Sequence, residues 1–365
     1  MNIIRKSLQF GLSLALCAGF VTTAPAQATA DAATQKLPNV TILATGGTIA
    51  GTGSSSTTTV GYTAAKVGVQ RLIDAVPELK KVANVRGEQV FQVASENMTD
   101  DLWLKLGKRV NELLAQSDVD GIVITHGTDT LKETAYFLDL VVKSSKPVVL
   151  VGAMRPSTAI SADGPVNLYN AAALAASKAA VGKGVLVALN DQISAGRDVT
   201  KANTSTADTF RSPDLGFLGY MQDSRAYFYR APVRRHTLET EFDIAGLDSL
   251  PRVDIVYGYA NASRVPVDAL DGAGARGIVH AGVGDGSVHK EVLPALTDAR
   301  AQGVIIVRSA RVGSGIVARN GEANDDKLDF VVSDTLNPQK ARVLLMLALT
   351  RTSSTQEIQR MFSTY

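Results

Sequence analysis

Four short stretches of this 365-residue chain put hydroxyls, carboxylates and a lysine where a sheet fold presents its chemistry. Thr45-Gly46-Gly47-Thr48 follows the apolar run 40–44. Its paired glycines permit a tight turn and close backbone approach, which leaves a hydroxyl at the lip of a sheet. Thr125-His126-Gly127-Thr128-Asp129-Thr130 ends the run 121–125 and sets a second hydroxyl beside a carboxylate. Ser95-Glu96 follows 90–94, and Asp198-Val199-Thr200-Lys201 falls in a loop after 185–189. A threonine hydroxyl attacks a carbonyl only with a base or another activator, and lysine or tyrosine can serve. Acyl transfer is the reaction class to which this set points, although a lone T-G-G-T also reads as a phosphate-binding turn or a plain strand-to-helix corner.

Residues 51–61, GTGSSSTTTVG, are Gly, Ser or Thr at every position but Val60, and Tyr62 follows. Such a composition cannot pack a core. It reads either as a slack connector or as a mobile lid that carries Tyr62 over a bound substrate and excludes water.

The elements that must hold these stretches alternate short β-branched runs with 3.6-periodic segments. The runs 40–44, 121–125, 148–152, 185–189, 253–257, 278–281 and 304–308 read as buried parallel strands. Thr99 can cap a helix with Leu102, Leu106, Val110, Leu113 and Leu114 on one face, and 131–142, 167–180 and 339–349 have helical patterns. The fold class is α/β. A larger N-terminal parallel-sheet domain is expected over 38–230 and a smaller C-terminal α/β domain over 252–365. The linker is placed at 231–251, around the charged passage RRHTLETEFD and ending at Pro251. Open parallel sheets bind ligands beyond the carboxyl ends of their strands, which is where the four stretches are expected.

Arg5 and Lys6 precede the apolar run 8–21, and Ala26, Ala28 and Ala30 follow it, the pattern of an export signal cut after Ala28 or Ala30. The run is too short for a membrane anchor and is interrupted by Gln9, Gly11 and Ser13. A periplasmic or secreted protein that leaves the membrane after cleavage is expected. Removing Arg5 and Lys6 from the 37 basic residues leaves parity with the 35 acidic ones. With no Lys/Arg block, nucleic acid is not an expected partner. The single Cys17 lies in the leader, so the mature chain has neither a disulfide nor a cysteine ligand. His126, His236, His280 and His289 lack the i, i+4 spacing of a helical metal pair. No metal and no cofactor are expected.

ILATGGTIAG (42–51), ITHGTDT (124–130), VGAMRPSTAISADGP (151–165), GRDVTK (196–201) and LNPQKARVLL (336–345) together resemble the bacterial exported (type II) L-asparaginase family, in particular its glutaminase-asparaginase branch. The likeness covers the chain from about residue 37 to its end. It implies a two-domain hydrolase of L-asparagine and L-glutamine in which Thr48 is the nucleophile, positioned and activated by Tyr62. Thr128 orients water or assists proton transfer, and Lys201 supplies a proton route and a positive field. Asp129 holds the substrate's α-ammonium with help from Glu96, and Ser95 binds its α-carboxylate. Such a zwitterion needs acceptors at one end and donors at the other, which leaves the side-chain amide aimed at a hydroxyl. The resemblance further implies a homotetramer, a dimer of dimers, in which Glu322 of a neighbouring subunit completes the site with Ser287 nearby. Members most selective for asparagine carry Gln and Asn where this chain has Glu96 and Ser287, so glutaminase activity is expected as well. The disulfide of some relatives is missing.

Two other classes compete. A solute-binding protein would share export, two domains and an amino acid in its cleft, but would not need Thr48, Tyr62 and Lys201 together. A nicotinamide dehydrogenase needs G-x-G-x-x-G, which TGGTIAG does not supply. Trp103 on its amphipathic helix reads as core, His126 as a strand-end residue that satisfies backbone groups, and Met154-Arg155-Pro156 as a loop former behind the site.

Overall fold

Strands as apolar as those leading into the four stretches are stable only between two layers of helix. The computed structural model describes residues 36–365; the expected export signal and Cys17 lie outside the described residues. Strands β1 (Asn39–Gly46), β2 (Asn84–Val93), β3 (Gly121–Thr125), β4 (Val148–Val151) and β5 (Val185–Leu189) pair in the order β2-β1-β3-β4-β5, all parallel. The chain then turns back. β6 (Gln192–Ala195) runs antiparallel to β5, β7 (Thr200–Lys201) and β8 (Phe210–Arg211) form a separate ribbon, and β9 (Gly219–Gln222) and β10 (Arg225–Phe228) extend the sheet beyond β6.

Helices α1 (Val69–Asp74), α2 (Asp100–Leu114), α3 (Leu131–Val141) and α4 (Gly164–Ala175) belong to this larger half. Side chains alternate across the sheet. Ile122, Ile124 and Leu150 meet Leu106, Val110, Phe137 and Leu140 of α2 and α3, whereas Val123, Val149 and Leu186 meet Leu168, Ala171 and Ala172 of α4. Each such fully buried aliphatic side chain contributes about 1.5–3 kcal/mol. Thr99 caps α2 by accepting the Leu102 N–H at 3.3 Å, and Asp100 and Asp101 complement the positive end of its dipole.

The smaller half is a second parallel sheet, β11 (Val253–Tyr257), β12 (Gly277–Gly282), β13 (Ile305–Ala310) and β14 (Val331–Val332), in sequential order. It carries α5 (Val265–Gly272), α6 (Leu293–Ala301), the short α7 (Asp325–Leu328), α8 (Pro338–Leu349) and α9 (Thr355–Thr364). Residues 37–365 make one compact unit. The joint is α8, whose Leu344, Leu345 and Leu347 share one core with Phe137 and Leu140 of α3 and with Val279, Ile305 and Val307 of the second sheet. Arg342 on the same helix donates to the Val253 carbonyl at 2.7 Å and lies over the Trp103 ring, 5.9 Å from its centroid. Among the described residues no helix is long and apolar enough to cross a membrane.

Three expectations need correction. The helix expected over 167–180 starts at Gly164, where Pro165 sets its first turn, and stops at Ala175 because Ser177 turns outward to cap a separate 3-10 turn, Lys178–Ala180. The reading of an all-parallel sheet missed β6, β9 and β10. Their hairpins turn on Asn190-Asp191 and Asp223-Ser224, pairs in which both residues have positive φ, the geometry that a two-residue hairpin demands. Lys201 does not sit in the loop directly after β5. The chain first runs back along β6, passes Gly196, where an added Cβ would lie 3.0 Å from the Ala135 and Val185 carbonyl oxygens, and reaches Lys201 on the ribbon strand β7.

One ion pair organises the smaller half. Arg308 of β13 and Asp325 of α7 are fully buried and joined bidentately at 2.6 and 2.7 Å, and the guanidinium also donates to the carbonyls of Asp285, Gly286 and Ala318. All its donors are used, which is the condition for burying a charge at tolerable cost. Arg308→Met leaves the Asp325 carboxylate buried without its partner and is expected to lower unfolding stability by about 3–5 kcal/mol. Urea denaturation checks this, and Arg308→Met/Asp325→Leu should recover part of the loss; an unchanged urea midpoint in the single variant would show that the pair holds nothing.

Candidate active site

β1 ends in a turn that only glycine can make. Gly46 and Gly47 have φ of 114° and 82°; a Cβ on Gly46 would lie 2.3 Å from the Val93 carbonyl oxygen, and one on Gly47 would lie 2.3 Å from the Gly127 nitrogen. The ends of β1, β2 and β3 are therefore in backbone contact. Thr48 opens the 3-10 turn Thr48–Ala50 just beyond, only 6% exposed, with its Oγ1 2.7 Å from the Tyr62 hydroxyl. The hydroxyl-rich loop between them is fastened at several points. Thr52 and Thr63 pair main chain to main chain, Gly53 N–H donates to Thr158 Oγ1 at 2.8 Å, Ile160 N–H donates to Ser56 O at 2.9 Å, and Ser157 donates twice to Gly51 O.

The second polar group stands at the end of β3. Lys201 Nζ donates to Thr128 Oγ1 at 2.9 Å and to Asp129 Oδ1 at 2.7 Å. Thr128, accepting from an ammonium, keeps its own hydrogen for another partner. The Asp129 side chain is 59% exposed, and so open an ion pair contributes only about 0–1 kcal/mol to stability, so the contact matters for placement more than for holding the fold. Buried Ser95 accepts the Asp129 N–H at 3.2 Å through Oγ and the Thr130 hydroxyl at 2.8 Å through its carbonyl. Its own hydroxyl hydrogen remains available to an anion.

His126 lies behind this turn with both ring nitrogens engaged. Trp103 Nε1 can only donate, and it does so to Thr134 Oγ1 at 2.8 Å. Thr134 then donates to His126 Nε2 at 3.0 Å, which puts the ring hydrogen on Nδ1, where it is given to the Gly127 carbonyl at 2.8 Å. The ring is thus neutral and steadies the Gly127 peptide. Burial pushes its pKa down to about 4. Trp103, expected only as core, also supplies the first donor of this chain and stacks on Phe137.

Thr48, Tyr62, Ser95, Glu96, Thr128, Asp129 and Lys201 all border one cavity of about 710 Å³. Its lining includes the carboxylates of Asp129 and Glu96 and the cationic side chains of Lys201 and Arg155. Met154 and Arg155, expected behind the site, are on its wall, as are Thr204, Ser205 and Thr206, which the sequence reading passed over although they follow Lys201 in the same loop. Ser287 and Glu322 are not brought to this cavity; they bond to each other at 3.0 Å on the smaller half, in the loops that the Arg308–Asp325 pair fixes. Among the described residues no cluster of His, Cys, Asp and Glu is arranged to hold a metal. The cavity is bordered by a hydroxyl bonded to a phenol and by a hydroxyl bonded to an ammonium, groups that can support acyl transfer.

The low pKa of His126 has a consequence for stability. Between about pH 6.5 and 4 the unfolded chain binds a proton that the folded ring refuses, so this group's contribution is present above that window and is lost as the pH falls through it. The full shift corresponds to roughly 3 kcal/mol. Urea midpoints at pH 4.5 and 7 should converge in His126→Gln relative to the unsubstituted chain; an unaltered gap would mean that the buried ring does not titrate as described.

The family model described as "Asparaginase, N-terminal" matches residues 39–234, and that described as "Glutaminase/Asparaginase C-terminal domain" matches residues 252–362. The glutaminase-asparaginase of Pseudomonas fluorescens biotype A is 57% identical over 90% of this chain and 91% of its own length. L-asparaginase 2 of Escherichia coli K12 is 55% identical over 90% of this chain and 94% of its own. A crystal structure described as a probable cytoplasmic L-asparaginase from Campylobacter jejuni is 50% identical, with a TM-score of 0.88, and the match covers 90% of this chain and all of that one. With both halves matched and more than half of the aligned residues shared with two relatives across nine tenths of its length, the chain belongs to the asparaginase family.

Proposed function

We propose that this protein hydrolyses the side-chain amide of L-asparagine, and of L-glutamine, through a threonyl acyl-enzyme. The observation that carries the reading is the pair of polar groups across one cavity: Thr48 Oγ1 2.7 Å from Tyr62, and Lys201 2.9 Å from Thr128. In the first step Thr48 Oγ bonds to the amide carbon, its proton leaves through the Tyr62 hydrogen bond, and the C–N bond breaks as ammonia takes up a proton. In the second step water, oriented by Thr128 and Lys201, adds to the ester carbon and the Thr48 oxygen leaves with a proton. The sum is amide plus water to carboxylate and ammonium. The spare hydrogen of Ser95 faces the α-carboxylate, and Asp129 and Glu96 face the α-ammonium. Main-chain N–H groups near Thr48 and Thr128 serve the oxyanion.

Thr48→Ala should fold normally and lose nearly all turnover, with Lys201→Met losing most of it; intact-protein mass spectrometry on a slow substrate should show an acyl adduct on the unsubstituted enzyme. Glutamine is longer than asparagine by one methylene, which pockets discriminate by only about 1–3 kcal/mol. Its rate is expected within about tenfold of the asparagine rate. Near-normal turnover by folded Thr48→Ala would falsify the nucleophile, and background glutamine hydrolysis would remove the second substrate.

The reading extends to assembly and place. The domain boundary at residues 231–251, export through the leader, and a tetramer whose sites borrow Glu322, with Ser287, from a neighbouring copy all belong to it. What supports a borrowed residue is that Glu322 borders no part of its own chain's cavity. Thr48→Ala and Glu322→Ala subunits, each inactive alone, should regain activity when mixed under exchange conditions. Verified exchange with no recovery would sink the composite site and leave the Thr48 chemistry standing.

A further inference from the structure

Lys340 is a lysine buried where lysines are costly. It sits in the first turn of α8, 2% exposed, and among the described residues no carboxylate lies within 4.0 Å of its ammonium. Its Nζ donates instead to two main-chain carbonyls, those of Arg197 and of Val199, the latter at 2.6 Å. Burial pushes its pKa down to about 7, with Asp198 opposing the shift. A leucine would fill such a position at lower cost, because a desolvated amine is repaid only by hydrogen bonds.

Those two carbonyls belong to the segment that delivers Lys201. After β6 the chain turns tightly, with the Asp198 and Val199 N–H groups both donating to Ala195 O at 3.1 Å. Beyond it, Thr200 and Lys201 pair with Phe210 and Arg211, and Ala202 N–H donates to Thr209 O at 2.8 Å. On the N-terminal side of Lys201 the carbonyls of residues 197 and 199 would otherwise be buried without a donor, and Lys340 supplies both.

We propose that Lys340 is a positioning residue for Lys201: by holding the Arg197 and Val199 carbonyls it sets the backbone from which the Lys201 ammonium reaches Thr128 and Asp129. The helix that joins the two halves thereby governs the reactivity of a site on the first. This rests on the reading that Lys201 takes part in hydrolysis.

The test is a double-mutant cycle in the full-length enzyme with asparagine as substrate. Lys340→Met should lower kcat at least tenfold, with any rise in KM no larger than that of Lys201→Met, because Lys340 acts on the site only through the Lys201 contacts with Thr128 and Asp129. The double variant Lys201→Met/Lys340→Met should be no slower than Lys201→Met alone, since the second change removes the support of a group already gone. Wild-type kcat in folded Lys340→Met, or losses that multiply in the double variant, would overturn the proposal. If Lys340→Met fails to fold, Lys340→Gln, which keeps one donor for one carbonyl, is read by the same criteria. Wild-type kcat in Lys201→Met would bring down the reading of the site and this inference with it, whereas an inactive Lys201→Met beside a fully active Lys340→Met defeats the inference alone.

Discussion

The contact between the Gly47 and Gly127 backbones is the constraint on which the site depends. A methyl group at Gly47 has no room, since its carbon would stand 2.3 Å from the Gly127 nitrogen, and one at Gly127 would stand 2.5 Å from Ser95 Oγ. Two threonine-bearing turns and a serine are thus pressed together without side chains between them. This is possible because β1 lies between β2 and β3 in the sheet, so three parallel carboxyl ends open side by side. The burial of β1 and β3 on both faces does more than hold a core: it keeps β1 inside the sheet, between β2 and β3, where its end meets theirs.

Polar groups buried far from the cavity carry that order outward. His126 ties the Gly127 peptide to α2 and α3 through Thr134 and Trp103. Arg308 and Asp325 bind the loops of Ser287 and Glu322 to the second sheet, and Lys340 ties α8 to the segment before Lys201. In each case a costly buried donor is spent on main-chain carbonyls, which cannot be moved by rotating a side chain. Geometry fixed in this way survives thermal motion of the surface around it.

Strands β1, β3, β4 and β5 and helices α2, α3, α4 and α8 were legible in the sequence because their burial leaves apolar runs and 3.6-periodic patterns, with a Thr99 cap on α2, whereas the half-exposed β2 showed only at its end. β6, β9 and β10 were not, since β9 and β10 are half exposed and four residues long, and their signal lay in the turn pairs Asn190-Asp191 and Asp223-Ser224. Seven of the nine singled-out residues border one cavity: Thr48, Ser95, Glu96, Thr128 and Asp129 because each follows a strand end, Tyr62 through its bond to Thr48, and Lys201 from the ribbon strand β7. Lys201 reaches the cavity by a different path from the one expected, as no local pattern announces that a chain will double back before delivering a side chain. Arg155 was expected behind the site and residues 204–206 were passed over because a wall needs no particular chemistry, only proximity.

The loop from Gly51 to Gly61 has no ionisable side chain, and its one aliphatic residue, Val60, is 74% exposed. Its fastening to residues 157–160 consists of two hydrogen bonds between a hydroxyl and the main chain and two between main-chain groups. Neither charge pairing nor apolar burial contributes. Ionic strength, which weakens surface ion pairs over a Debye length of about 8 Å in physiological salt, has nothing here to screen. The covering of the cavity is accordingly held by forces as strong in brine as in dilute buffer, and only competition from water or another hydrogen-bonding solute acts on it directly.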